Sequence, residues 1–270
     1  MFKYITTVLF AVIFCKINAQ TKNQTDDKGL KQGYWEKIDT ETGKISYKGT
    51  FKNNKPQGIF SYYYKGTDSL RSKSEFRQDG KVAYATMYHL ATGKIQAKGK
   101  YVSEAKDSLW NFYDERGNLL STEIYLNGKK NGASKVYYTK GAILEEKSYK
   151  NDLPEGAFKQ FYEDKRTKAE GAYLAGEYTG KCSWYYPNGM VAAEGFYEKG
   201  IKKGVWLYKE QSGKIKEKEV WQNGKQLNQK EMDAFFKSKN ITFPADTKTN
   251  TKTAPQKTIT PKTNSTPPKK

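Results

Sequence analysis

Residues 180–204 read Gly-Lys-Cys-Ser-Trp-Tyr-Tyr-Pro-Asn-Gly-Met-Val-Ala-Ala-Glu-Gly-Phe-Tyr-Glu-Lys-Gly-Ile-Lys-Lys-Gly. An aromatic run (Trp184, Tyr185, Tyr186) meets a Pro-Asn-Gly turn at 187–189, and a second run ends in Phe196-Tyr197. Aromatic side chains suit a pleated surface, and Asn-Gly favours the positive φ angles of a tight hairpin turn. The stretch is therefore a β-hairpin, closed by a Lys/Gly-rich connection that leads into Gly204. A lone hairpin is marginal in water, so this one requires neighbours.

The same pattern recurs with starts at Gly33, Gly58, Ala83, Ser108, Gly132, Gly156, Gly180 and Gly204, first at a spacing of 25 and then of 24. Two residues after the starts stand Trp35, Phe60, Ala85, Trp110, Ser134, Phe158, Cys182 and Trp206. Five residues after them stand Ile38, Tyr63, Tyr88, Tyr113, Tyr137, Phe161, Tyr185 and Lys209. The second strand carries Phe51, Phe76, Tyr101, Tyr125, Tyr149, Tyr173, Tyr197 and Trp221. Fixed self-similarity of this period marks a repeat architecture in which each unit contacts mainly the next. The expected fold is all-β: an elongated single-sheet solenoid of about eight consecutive hairpins over 30–227. Because side chains alternate along a strand, the second and fifth positions of a unit should lie on opposite faces. Both faces then carry aromatics, and the sequence leaves open which one is covered.

Outside the repeats, residues 1–19 have the form of a signal peptide: Lys3, an apolar run from Ile5 to Phe14, and Ala19 before Gln20. Export follows, to a periplasmic, outer-envelope or secreted destination. Residues 20–29 read as a linker. At 228–240, Asn228 followed by Glu231 is a capping-box arrangement, and Met232, Phe235 and Phe236 share a helical face. A short capping helix over the last sheet edge is expected there. From 241 the Lys/Thr/Pro-rich chain lacks the apolar residues to order itself and reads as a disordered tail.

The columns resemble the variant MORN repeat of bacterial proteins. Unit seven carries the resemblance best, through Trp184, Tyr185, Asn188, Gly189, Glu194 and Gly195, and similar matches run through 132–150 and 204–225. The resemblance implies consecutive antiparallel hairpins and a non-catalytic scaffold for protein interaction or membrane-proximal assembly. Some members are labelled antitoxins of toxin–antitoxin pairs, which fits poorly with export. The units lack the His-Gly pair of the eukaryotic repeat.

Catalysis needs a nucleophile, a base and an orienting group held together, or a metal with its ligands. His89 is the only histidine, and Cys182 the only cysteine past the signal segment, in different units. No catalytic, cofactor-binding or metal site follows, and no enzyme is expected. Glu146, Glu170 and Glu194 repeat at one position, where pairing with lysines such as Lys135 and Lys159 accounts for them. Cys182 falls in a column of packed residues and reads as core.

Net charge is +19. Lysines at sheet edges commonly block pairing with other chains. They also suit an anionic surface. The stripe Tyr63, Tyr88, Tyr113, Tyr137, Phe161 and Tyr185 is the candidate partner-binding surface, since aromatic bodies with polar tips give contact area at low entropy cost. Two functions fit: a scaffold binding another protein of the envelope or exterior through this face, or a binder of anionic lipid or polysaccharide. Nucleic acid is a poor partner for an exported chain.

Overall fold

The structure, a computed structural model, describes residues 21–243. The expected signal segment and, beyond residue 243, the expected tail lie outside the described residues. Eighteen strands form one antiparallel sheet, in which each strand pairs with the next in chain order. Sixteen of them make the eight hairpins, from Lys31–Ile38 with Ile45–Lys52 to Ile201–Lys209 with Ile215–Gln222. Two-residue strands stand at the ends. Gln24–Thr25, inside the segment expected as a linker, pairs with the first full strand, and Lys225–Gln226 pairs with the last.

The covered face is the one that carries the second position of each unit. Trp110, Phe60, Phe158, Cys182 and Trp206 are buried there, with the second-strand aromatics packed against them. Trp110, wholly buried, meets Tyr101 edge-on at 4.8 Å and stacks with Phe112 at 6.1 Å. Trp206 meets Tyr197 edge-on at 4.9 Å. Lysines two residues before the unit start lie over these rings, Lys31 over Trp35 at 4.7 Å, Lys106 over Trp110 at 4.8 Å and Lys202 over Trp206 at 4.6 Å. Their stems shield apolar surface while the ammonium groups interact with the rings.

Phe60, Trp110 and Trp206 each rest on a glycine of the preceding unit. A Cβ on Gly99 would stand 2.3 Å from Cδ2 of Trp110, and one on Gly195 would stand equally close to Trp206. Gly49 and Gly171 seat Phe60 and Cys182 in the same way. In two units both ring and glycine are missing, since Ala85 faces Ser74 and Ser134 faces Glu123, whereas the Phe158 ring faces Lys147.

Turn chemistry differs from the sequence expectation. In the 187–189 turn only Gly189 takes positive φ, and the Gly189 amide bonds the Tyr186 carbonyl at 2.8 Å. That is the three-residue hairpin loop with a left-handed last residue. The two-residue turns with both residues left-handed lie between units instead, for example Asn127-Gly128 (φ 50° and 83°) and Asn223-Gly224 (φ 50° and 76°). Unit six lacks a turn glycine, and Lys165 takes its place at φ 70° while Arg166 is held by Asp164. The change of spacing from 25 to 24 also lies in the turns. Units one to three close four-residue loops, as in Asp39 N–H to Lys44 O, and the later units close three-residue loops, as in Tyr186 N–H to Met190 O.

The unit starts are bulges. Gly33, Gly58, Gly180 and Gly204 sit near φ 66°, and at the last three the pairing register to the preceding strand shifts. Ala83 does not take positive φ, and the pairing of Leu70–Arg77 with Val82–Tyr88 runs without a shift. The surplus residues appear instead in a four-residue connection, 78–81.

A helix runs from Gln229 to Ser238, with both hydrogen bonds of the Asn228–Glu231 capping box formed. Met232 is buried, and Phe236 meets Phe235 and Phe243 at 5.9 and 5.2 Å. Among the described residues no helix is long and apolar enough to cross a membrane.

Candidate functional site: the open face

The face opposite the packed rings is open. Its centre is one row of residues paired across every full strand: Glu36, Lys48, Ser61, Lys73, Thr86, Lys98, Asn111, Thr122, Lys135, Glu146, Lys159, Glu170, Ser183, Glu194, Leu207, Lys218. Strand alternation puts the first and third positions of each unit on this face. The fifth-position stripe joins it. Lys48 lies 5.6 Å from the Tyr63 ring and Lys98 5.6 Å from the Tyr113 ring, and the Tyr185 hydroxyl donates to Glu170 at 2.7 Å.

Tyr63, Tyr88, Tyr113, Tyr137, Phe161 and Tyr185 are all half-buried, aligned unit after unit on the open side. Burial raises the Tyr185 hydroxyl above its ordinary pKa, and the hydrogen bond to Glu170 adds to this. The Tyr185 phenol stays neutral near pH 7, a donor with an apolar body.

The row changes character along the sheet. In its later half the glutamates are neutralised: Lys135 pairs with Glu146 at 2.7 Å, Lys159 with Glu170 at 3.3 Å, and Glu194 with Lys181 at 2.9 Å and Lys209 at 2.7 Å. The Lys209 and Lys181 ammonium groups hold Glu194 below its ordinary pKa. The expected lysine pairing of the repeated glutamates is thus formed. In the earlier half the lysines stand beside Ser61, Thr86 and Asn111, with Glu36 opposite Lys48, and among the described residues no carboxylate bridges Lys73 or Lys98.

Beside that half, Ile59, Tyr84 and Leu109 are 66%, 46% and 52% exposed. They wall an open groove of about 670 Å³ together with Lys73, Thr86, Lys98 and Asn111. The groove also holds two closed pairs, since Glu75 binds Arg77 at 2.9 Å and Lys100 binds Asp107 at 2.7 Å. None of the six stripe residues lines it. The sequence signal was the apolar residue one place after the start, hidden because this column turns to Ala, Lys and Val in later units.

A further ladder went unread in the sequence. The Tyr64 hydroxyl donates to the Tyr88 carbonyl at 2.6 Å, Tyr138 to Phe161 at 2.8 Å, Tyr162 to Tyr185 at 2.6 Å and Tyr186 to Lys209 at 2.8 Å. His89 occupies the same column, with Nε2 3.0 Å from the Tyr113 carbonyl. The lone histidine is thus one more clip between units. Cys182 is wholly buried against Phe158 and Ala169, and burial pushes its thiol up in pKa. Among the described residues no group of acidic, His and Cys side chains could hold a metal.

Consecutive hairpins with glycine bulges at their junctions define a β-hairpin repeat protein. The family model described as MORN repeat variant matches residues 130–151 and 178–199, each beginning two residues before the unit starts Gly132 and Gly180. Two of its eight units thus match the variant MORN repeat. No curated protein matches it. Among solved structures, it is similar to a chain of the Photorhabdus luminescens Tc holotoxin pore at 12% identity and a TM-score of 0.18, over 74% of this chain and 15% of that one. The chain therefore spans a small part of that molecule, and so weak a likeness carries no argument about function.

Proposed function

We infer that this protein is an exported, non-catalytic scaffold that holds another protein of the cell envelope or exterior on the open face of its sheet. The observation that supports this most is the division of labour between the faces. The second-position rings are consumed in packing, whereas the fifth-position stripe and the first-position residues Ile59, Tyr84 and Leu109 repeat on the side that remains accessible. Repeat arrays of this kind commonly use such a surface for binding. Exposed apolar groups rimmed by polar ones mark interaction sites.

The second reading, a binder of anionic lipid or polysaccharide, draws on the +19 charge and the uncompensated lysines. Ionic strength separates the two, because attraction between exposed charges is screened by salt and aromatic contact is not. The direct test replaces Tyr113 and Tyr137 with serine and measures crosslinked capture of partners from the envelope. The expected result is a folded protein that has lost capture while Cys182→Ala retains it. A folded Tyr113→Ser/Tyr137→Ser variant with undiminished capture overturns the reading.

A further inference from the structure

The early half of the cross-strand row offers a repeating chemical pattern. Lys48, Lys73 and Lys98 stand on every second strand, with Ser61, Thr86 and Asn111 between and beyond them. Two strand steps make a lysine spacing of about 9.6 Å. The Tyr63 and Tyr113 rings lie against Lys48 and Lys98, and Ile59, Tyr84 and Leu109 flank the row on its groove side.

An extended polyproline II segment has three residues per turn and advances about 9.3 Å per turn, so every third side chain projects to one side. That advance matches the lysine spacing to within a few tenths of an ångström. A flat β-strand does not, because its third neighbours alternate between faces. Aromatic-lined grooves are the established kind of surface for polyproline II ligands.

We propose that the open face over units one to four, along the lysine row and the groove beside it, binds an acidic polyproline II segment of another protein, with a carboxylate at every third residue facing Lys48, Lys73 and Lys98. The carboxylates meet the lysines, and the intervening prolines or aliphatic residues lie against Tyr84, Leu109 and the stripe. Two other occupants fail on charge. A second copy would have to offer Glu146, Glu170 or Glu194, and each of these already holds a lysine. The chain's own residues 241–270 carry six lysines and one aspartate, which this row repels. Glu36, Glu75 and Asp107 do not cancel the row, because Lys22, Arg77 and Lys100 occupy them.

The proposal rests on the open face being the binding face, and the test separates the two. The full chain is titrated with a synthetic peptide of four Glu-Pro-Pro repeats, with its isomer of four adjacent glutamates followed by eight prolines, with an acidic polysaccharide, and with anionic phospholipid vesicles. The periodic peptide should bind several-fold more tightly than its isomer. The exposed double variant Lys73→Gln/Lys98→Gln should weaken it about tenfold, the combined effect of two exposed ion pairs, whereas Lys150→Gln/Lys216→Gln, of equal charge, should not. Equal binding of the two peptides overturns the spacing match but leaves the face in place. Equal loss in the Lys150/Lys216 control overturns the site. Binding of vesicles or polysaccharide with neither peptide bound overturns both the proposal and the protein-scaffold reading.

Discussion

The glycine seat of Trp110 gives the sharpest energetic prediction. Gly99→Ala adds one methyl group, whose carbon would stand 2.3, 2.4 and 2.6 Å from Cδ2, Cε2 and Cγ of Trp110. Carbon atoms pack at about 3.5–4.0 Å, so ring and strand must separate by about 1.2 Å. The ring has nowhere to go: it is wholly buried, lies edge-on to Tyr101 and Tyr125, is covered by Lys106, and donates from Nε1 to the Lys100 carbonyl at 3.1 Å. Overpacking of this kind costs about 1–3 kcal/mol, and loss of the indole hydrogen bond adds about 1 kcal/mol. Trp110→Ala alone costs about 3–5 kcal/mol through the cavity it leaves. In that background the Gly99 methyl meets open space, and since Gly99 has no positive φ the alanine gains about 0.5–1 kcal/mol in a strand. The two substitutions should therefore couple by at least about 2 kcal/mol in a urea-unfolding double-mutant cycle followed by far-UV circular dichroism. Additivity within about 0.5 kcal/mol, the behaviour of sites that do not touch, would refute the ring-on-glycine account.

Two further outcomes follow from the polar ladders. His89→Ala should cost about 0.5–1.5 kcal/mol in urea unfolding, and His89→Tyr should restore the column's hydroxyl clip at little or no cost; an unchanged alanine variant would mean that the bond to the Tyr113 carbonyl contributes nothing. Glu194, held low in pKa by Lys209 and Lys181, stabilises the fold above its ordinary value of 4.5, and that stability is lost as pH falls through the lower folded value. Thermal unfolding midpoints should drop across that acid range in the parent and drop less in Glu194→Gln; parallel curves would contradict the pairing.

Much of the fold was legible because the period was written in several columns at once. Strand pairing, unit boundaries and the helix cap at Asn228 all follow from spacing and local residue type. The covered face was not legible from the aromatic columns, since both Trp110 and Tyr113 columns look like core. The deciding signal lay in the small partners: Gly49, Gly99 and Gly195 precede Phe60, Trp110 and Trp206 by eleven residues and seat those three rings. Turn types were misplaced because Asn188-Gly189 and Asn127-Gly128 look alike locally. The difference is a loop length set by the flanking pairing, three residues in one and two in the other. The Tyr-Tyr doublets hid a division of roles, with Tyr185 on the open face and Tyr186 clipping its hydroxyl to the next unit. The groove was obscured for a different reason: it depends on a row of lysines and small polar residues, and its meaning appears only once the cross-strand register is known.

The central claim is that eight equivalent units each rest on their neighbours, with one face packed and one open. Removing residues 156–179 joins Glu155 to Gly180 and sets one unit's end against an equivalent start, with the left-handed glycine in place. Removing residues 162–173 discards as little as half a unit but shifts every strand that follows out of register. The nearest-neighbour account predicts that the longer deletion unfolds cooperatively at a midpoint modestly below the parent, while the shorter one unfolds far earlier or not cooperatively. Equal midpoints for the two deletions in a urea titration would contradict it.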